Sequence, residues 1–240
     1  MTPADILTSL FPAGHDVTTS GALLRGTAHL DGGGVVHVLG IVDGAFPGVD
    51  EAVEVAGDVL AIAARDDASP ILFLLDSGSQ RMSRRDELLG LSETLAHLAK
   101  ALHHASNSGH RTIALLYGGT AAGAFIATAL ACDTLVALPG AHPAVMDLPS
   151  MARVTKLPLA VLEAKAETTP VFAPGLDNIV ATGGIAAVWD PDQPLAGSFA
   201  ALLAAPPAGD LRATLGAERG GRPKAAAIAA EVERLGLAHG

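Results

Sequence analysis

Residues 113–137 have the sequence IALLYGGTAAGAFIATALACDTLVA, in which an apolar run meets a glycine turn and a segment of small residues. The run Ile113–Leu116 predicts a strand, Gly118 and Gly119 predict a turn, and Ala121–Cys132 predicts a buried helix. The first amides of a helix lack intrahelical acceptors, and the helix dipole adds partial positive charge there. This turn is therefore a candidate oxyanion hole, although the same glycines could simply end a strand and let a helix pack closely.

The chain has 240 residues, half of them hydrophobic, and 25 acidic residues against 15 basic ones give a net charge of −10. We expect a single domain over 1–240, with an N-terminal arm at 1–20 and a helical tail at 205–240. The negative charge disfavours nucleic acid as a partner, because phosphate binding requires clustered lysine and arginine.

Cys132 is the only cysteine, which excludes an intrachain disulfide and a zinc site built from cysteines. The N-terminal residues lack the basic start and apolar run of a signal peptide, and no apolar run reaches the ~18 residues that span a bilayer. These features predict a soluble cytoplasmic protein without a membrane partner.

Strands and helices alternate through the N-terminal half. Ala22–Leu30 and Val35–Val42 flank a DGGG turn typical of a hairpin, and Ile71–Leu75 is a continuous apolar run typical of a strand buried on both faces. Helices are predicted over 49–65 and about 85–107, so we expect an α/β fold with right-handed crossovers in a largely parallel sheet. Ligands of such sheets bind beyond the carboxyl ends of the strands. The turns at 76–80 and 118–124 are therefore expected to face one crevice.

The C-terminal half has weaker patterns. They predict short helices over 151–155, 158–167, 195–204 and 224–235, a late strand over 185–189, a loop over 168–175 and a break over 205–209.

Several strings in the chain resemble a known family. The run GTAAGA at 119–124, before Asp133 and a strand, is similar to the glycine turn of the crotonase superfamily, although Ala124 stands where that superfamily has a second glycine. Three further strings, DSGSQRMSRRDELLG at 76–90, YGGT at 117–120 and ALPGA at 137–141, resemble the gamma subunit of malonate decarboxylase.

The resemblance implies a crotonase-like α/β fold, a spiral of repeated strand-strand-helix units with C-terminal helices. It also implies a tight heterodimer or heterotetramer with a similarly folded beta subunit. That pair removes carbon dioxide from a malonyl thioester on an acyl carrier protein and leaves an acetyl thioester. The substrate would be carried on a phosphopantetheine-type group of the carrier, and no metal or cofactor is expected on this chain.

Loss of carbon dioxide leaves an enolate, whose charge needs fixed N–H donors. By position, the N–H of Ala124 or Gly123 is one donor. By analogy with the superfamily, the other lies in the Ser77-Gly78-Ser79 turn. Whether this chain or the beta subunit holds the thioester stays open. The substrate-binding residues expected around these donors are Gly118, Gly119, Thr120, Ser79, Gln80, Arg81, Arg84, Arg85 and His142.

Some roles have alternatives. The three arginines could receive the malonyl carboxylate or an acidic carrier protein, or they could form a solvated helix start. His142 could protonate the carbanion or be structural. Two other functions compete with the decarboxylase: a carboxyltransferase subunit of a biotin-dependent acyl-CoA carboxylase, and a nucleotide-binding module. The last is disfavoured because the strand after the helix ends in Pro139-Gly140 rather than in an acid.

Overall fold

A computed structural model describes residues 1–170, 173–206 and 209–239, which form a layered α/β fold. Parts of the predicted loop over 168–175 and of the predicted break over 205–209 lie outside the described residues. The strands are β1 Thr18–Ser20, β2 Leu23–His29, β3 Val35–Ala45, β4 Ile71–Ser77, β5 Thr112–Leu116, β6 Gly119–Ala121, β7 Thr134–Ala137, β8 His142–Ala144 and β9 Ala187–Val188. The α-helices are α1 Pro3–Leu10, α2 Val49–Ala63, α3 Arg84–Leu88, α4 Leu91–Asn107, α5 Ala122–Ala127, α6 Leu148–Thr155, α7 Leu159–Ala166, α8 Leu176–Ala181, α9 Leu195–Ala204, α10 Arg212–Glu218 and α11 Ala225–His239.

The main sheet has the strand order β1-β2-β3-β4-β5-β7-β9 and is parallel from β3 onwards. β2 and β3 form the predicted antiparallel hairpin. Its turn places Gly33 and Gly34 at φ 85° and 103°, where glycine is free of steric strain. The sequence does not predict a second, two-stranded sheet, in which β6 pairs in parallel with β8 beyond the carboxyl end of β5.

The central strands β4 and β5 are buried along their lengths, as their continuous apolar runs predict. Phe73 and Leu75 belong to the core cluster that includes apolar residues of α2, α4 and α5. Leu72 and Leu74 belong to a second cluster, which includes residues of α1 and α9. Because successive side chains of a strand point to opposite faces, helices cover the sheet on both sides and leave its carboxyl edge for a site.

Two helices are shorter than the sequence predicts. The helix expected over about 85–107 is broken, because Gly90 takes φ 79° between α3 and α4. The helix expected over 121–132 ends at Ala127, and a 3-10 turn follows at Ala129–Ala131. At the break, Thr128 has φ −114° and ψ −85°, and its hydroxyl donates to the Ala124 carbonyl at 2.6 Å. Such a side-chain bond competes with regular helix hydrogen bonding.

Within the described ranges, no helix has both the length and the apolar character required to cross a membrane. Helices α8 and α10 lie in the C-terminal half and are absent from the sequence prediction. The late strand is shorter than predicted, with only Ala187 and Val188 paired to β7.

The buried His37, near the amino end of β3, gives the fold a pH dependence. His37 in β3 is buried, and this burial lowers its pKa; the charges of Arg65 and His110 lower it further, and Asp67 opposes them. The unfolded chain therefore binds a proton at His37 more readily than the folded chain does. The stability that neutral His37 provides is present above pH ~6.5 and is lost as the pH falls towards the depressed folded pKa.

We expect the free energy of unfolding to fall between pH 7 and pH 5, with a slope of up to about 1.4 kcal/mol per pH unit for this one proton. Urea denaturation at pH 7, 6 and 5 measures the slope. His37→Phe keeps a ring of similar size that cannot be protonated, and it should flatten the dependence. The matched change His97→Phe, at an exposed position of α4, should leave the pH dependence unchanged. An unchanged slope in His37→Phe would contradict this assignment.

Candidate functional site

The two turns that the sequence places in one crevice run side by side at the carboxyl edge of the sheet. The Gly119 N–H donates to Asp76 Oδ1 at 2.9 Å, and the Gly123 N–H donates to Gln80 Oε1 at 2.8 Å. Both contacts join residues that are 43 positions apart. The predicted proximity of the two turns is therefore confirmed.

Two further contacts lie between these pairs. The Ser77 hydroxyl donates to Thr120 Oγ1 at 3.0 Å inside the protein, and the Ala121 N–H donates to the Gly78 carbonyl at 3.3 Å. The two segments 76–80 and 119–123 thus continue the parallel arrangement of β4 and β5 beyond the sheet. We refer to this set of contacts as the turn ladder.

Close approach explains the glycines of the second turn. A Cβ atom on Gly118 would lie 2.2 Å from Asp76 Oδ1, and one on Gly119 would lie 3.0 Å from the Ser77 carbonyl oxygen and 2.9 Å from His142 Nε2. A side chain on Gly118 would displace Asp76, and one on Gly119 would require both His142 and the backbone at Ser77 to shift. Asp76 therefore packs against the turn as well as binding its amide, a role that the sequence prediction does not assign to it.

The backbone is strained where the turn enters α5. Ala122 has φ 50°, which is the left-handed region that a residue with a Cβ rarely adopts. Its neighbour Gly123 is free of this constraint, but a Cβ there would meet Gln80 Oε1 at 3.1 Å and Leu95 Cδ1 at 3.2 Å. Strained residues of this kind persist where the surrounding structure holds them, and they are frequent at functional sites.

The candidate oxyanion amides differ in what they contact. The Gly78 N–H donates to the Ala45 carbonyl at 2.8 Å, which is a bond between neighbouring strands rather than a free donor. Ala124 is fully buried in the isolated chain. The Gly123 N–H faces a flexible side chain instead, since its acceptor is the amide oxygen of Gln80. Gly123 is accordingly the candidate whose acceptor a ligand could replace.

Ser79 and Gln80 lie in the loop between β4 and α3, next to exposed apolar side chains. The ring of Phe46 lies against Gly78, and a Cβ on that glycine would be 2.5 Å from it. Phe46 is 56% exposed and Met82 is 78% exposed. These two apolar side chains are therefore exposed beside the first turn.

The predicted arginines separate into two groups. Arg81 forms an ion pair with Glu51, and Arg85 binds Asp50 through two bonds of 2.7 and 3.0 Å, so both neutralise acids at the start of α2. Arg84 is exposed and has no ion-pair partner among the described residues. Acidic residues of α2 therefore neutralise the charges of two of the three arginines.

Asp86 anchors the loop that carries Gln80. Its carboxylate is buried, accepts the Val49 N–H at 2.9 Å and accepts the Ser83 hydroxyl, and the Ser83 hydroxyl oxygen in turn accepts the Asp86 N–H at 3.0 Å. The bond from Ser83, followed by that from Val49, lowers the pKa of Asp86. α3 is thereby fixed to the N-terminus of α2, and the position of the loop follows from it.

His142 lies at the start of β8 beside the second turn. The backbone N–H of His142 donates to the Gly118 carbonyl at 3.0 Å, and the ring Nδ1 lies 3.2 Å from the Gly140 carbonyl oxygen. The side chain is exposed, with Nε2 directed at Gly119. The structure thus brings His142 to the turn ladder, whereas Arg84 is exposed and Arg85 binds Asp50 of α2.

Known proteins with similar sequences and structures support one family. The family described as "Malonate decarboxylase gamma subunit" matches residues 44–236. The malonyl-S-ACP:biotin-protein carboxyltransferase MADD of Malonomonas rubra is 31% identical over 119 residues, which are 48% of this chain and 41% of that protein. The chain thus matches less than half the length of this curated relative.

Solved structures extend the similarity to the whole chain. A chain of a Pseudomonas malonate decarboxylase hetero-tetramer crystallised with coenzyme A has a TM-score of 0.75 and 26% identity, with 98% of both chains covered. The beta subunit of geranyl-CoA carboxylase from P. aeruginosa, at 16% identity and a TM-score of 0.64, covers 93% of this chain and 48% of that one, and shows the fold alone. The predicted crotonase-like fold is confirmed. Because the family match spans most of the sequence, the chain belongs to the malonate decarboxylase gamma subunits.

Proposed function

We propose that this chain acts with a beta subunit as a carboxy-lyase that converts a malonyl thioester on an acyl carrier protein into the acetyl thioester and carbon dioxide. The thioester would enter the crevice on the phosphopantetheine-type group of the carrier. Family membership supports the reaction, and the turn ladder supports a direct part for this chain.

The reaction needs a site for developing negative charge. When the bond between the carboxylate and C2 breaks, its electron pair moves into the thioester and forms an enolate. Each fixed N–H donor aimed at the enolate oxygen lowers the barrier by ~3 kcal/mol, or on the order of 10²–10³ in rate. We assign one such donor to the Gly123 N–H.

The contact between Gln80 and Gly123 carries this proposal. Gln80 Oε1 is a carbonyl oxygen 2.8 Å from the Gly123 nitrogen, and oxyanion donors bind at 2.7–3.1 Å. The side-chain amide oxygen stands in for the thioester oxygen. Substrate would displace Gln80, which can rotate away, whereas the backbone acceptor of the Gly78 N–H cannot.

A second donor would come from Ala124 or from the beta subunit. Ala124 is buried in the isolated chain, so its N–H would require a small rearrangement to reach the substrate. Phe46 and Met82 beside the first turn and Ile126 on α5 are exposed apolar side chains, and we infer that a partner covers them, since apolar surface marks interfaces. The Pseudomonas relative forms a hetero-tetramer, which supports such a partner here.

Arg84 is the arginine that we assign to the carrier protein. Arg81 and Arg85 already bind acids of α2, whereas Arg84 presents its charge to solvent. An exposed charge of this kind acts mainly on the rate of association and is screened by salt. Its effect should therefore be confined to substrates held on a carrier protein.

Reconstitution with the beta subunit tests the proposal. The complex should release carbon dioxide from the malonyl carrier protein, and Gln80→Ala, which removes the competing oxygen, should lower KM by about 2–10-fold, the value of one ordinary hydrogen bond. Gln80→Glu should raise KM, because a carboxylate binds the amide more strongly and repels the malonyl group. Gln193→Ala, at an exposed position far along the chain, is the matched control. Equal KM values for all four proteins would contradict the assignment of Gly123.

A second candidate function is suggested by the relative from Malonomonas rubra, which is named as a biotin-protein carboxyltransferase. In that case the carboxyl group would pass to biotin on a partner protein instead of leaving as carbon dioxide. The same reconstituted complex distinguishes the two functions. Release without any biotinylated protein supports the decarboxylase, whereas a strict requirement for a biotinylated acceptor supports the carboxyltransferase.

A further inference from the structure

The ring of His142 is held at the junction of the two turns. Its backbone pairs with Gly119 in the small sheet, and its Nδ1 lies 3.2 Å from the Gly140 carbonyl oxygen. A carbonyl can only accept a hydrogen bond, so Nδ1 carries the proton in this arrangement. Nε2 then faces the turn, since a Cβ on Gly119 would lie 2.9 Å from it.

Decarboxylation requires a proton as well as an oxyanion hole. After carbon dioxide leaves, the enolate carbon C2 holds the electron pair of the broken bond, and acetyl thioester forms only when C2 receives a proton. Until then, the enolate can recapture carbon dioxide and return to malonyl thioester. A proton donor close to the enolate therefore commits the reaction to product.

We propose that His142 is this donor, and the inference rests on the proposed decarboxylase function. The imidazolium ring transfers its Nε2 proton to C2, the N–H bond breaks as the C–H bond forms, and the neutral ring keeps the proton on Nδ1. Of the two neutral tautomers, this is the one whose Nδ1–H can donate to the Gly140 carbonyl. Water then returns a proton to Nε2.

Other titratable groups near the turns are poorly placed for this step. Asp76 uses Oδ1 to bind the Gly119 N–H. The Tyr117 hydroxyl is buried, and its pKa is raised by that burial and by the charges of Asp76 and Asp43. Cys132 is buried within the fold. His142 combines an exposed ring with a nitrogen directed at the turn.

The test uses His142→Ala in the reconstituted complex. Acetyl thioester formation should fall by about 10²-fold, the lower range for a lost general acid, while KM for the malonyl carrier protein stays within about twofold. Added imidazole should restore part of the rate. In the presence of ¹³C-bicarbonate, the ratio of labelled malonyl thioester to acetyl thioester should rise at least about tenfold, because the enolate waits longer for its proton.

A merely structural histidine would give a different pattern. In that case exchange and product formation would fall together, imidazole would restore nothing, and the ratio would stay constant, which would overturn the inference. His97→Ala on the exposed surface of α4 controls for the loss of a histidine and should behave like the wild-type chain. Failure of the proposed function itself is distinguishable, since the wild-type complex would then release no carbon dioxide.

Discussion

Gly123→Val is expected to reduce carbon dioxide release from the malonyl carrier protein by about 10²–10³-fold in the reconstituted complex, the cost of one lost oxyanion donor. A Cβ at this position already meets Gln80 Oε1 at 3.1 Å and Leu95 Cδ1 at 3.2 Å, and valine adds two methyl groups beyond it. They would occupy the space in which a thioester oxygen approaches the amide. Single-turnover measurements with a fixed amount of complex determine the loss.

The variant should remain folded, because the backbone of Gly123 needs no positive φ, Gln80 can rotate away, and the approach to Leu95 Cδ1 requires a shift of only a few tenths of an ångström. Circular dichroism and binding to the beta subunit check this. Gly57→Val is the matched control, since Gly57 lies on α2 and an added Cβ would have no atom within 4 Å apart from its neighbours in that helix. Normal turnover in folded Gly123→Val would show that the beta subunit, and not Gly123, supplies the oxyanion donor.

The sequence predicts the sheet well because its signals are local. The apolar runs of β4 and β5 are continuous, and the glycines at 32–34 demand a turn, so strand type and hairpin follow from short segments. The alternation of strands and helices then restricts the connections to parallel crossovers. That both turns would meet at one edge follows from this topology.

The helix boundaries depend on contacts that the sequence pattern does not contain. The break at Gly90 lies within a periodic segment in which glycine could also be tolerated as a weak helix residue. α5 ends at Ala127, where the Thr128 hydroxyl donates a hydrogen bond to the Ala124 carbonyl. The sequence does not show whether that hydroxyl binds this carbonyl or another acceptor. The pairing of β6 with β8 joins residues from separate loops, and three-residue strands give no periodicity to detect.

The candidate site is predictable in place but not in detail. The glycine turn identifies Gly123 because small residues expose amides, and the resemblance points to the same residue. Which amides are free depends on acceptors from distant segments. The side-chain oxygen of Gln80 accepts the Gly123 N–H, and the Ala45 carbonyl accepts the Gly78 N–H. Both contacts follow from the three-dimensional register between distant segments. The catalytic roles of these residues stay predictions until the complex is assayed.

Asp86→Ala should lower the melting temperature by about 5–10 °C, because it removes acceptors from two elements at once. The buried carboxylate accepts the Val49 N–H at 2.9 Å and the Ser83 hydroxyl. Alanine would leave these donors unpaired inside the protein, and buried unpaired donors are costly. Differential scanning calorimetry of the isolated chain measures the shift.

Two further aspartate variants show whether the effect comes from hydrogen bonds or from charge. Asp86→Asn keeps an oxygen for the Val49 N–H and should lose less stability than Asp86→Ala. Asp50→Ala breaks the ion pair with Arg85, but both partners are exposed, so it should change the melting temperature little. Since Asp86 also fixes the loop that carries Gln80, Asp86→Ala should in addition raise KM in the reconstituted complex. Equal melting temperatures for Asp86→Ala and Asp50→Ala would show that the loop is held by other contacts, and the position of Gln80 over Gly123 would then need a different explanation.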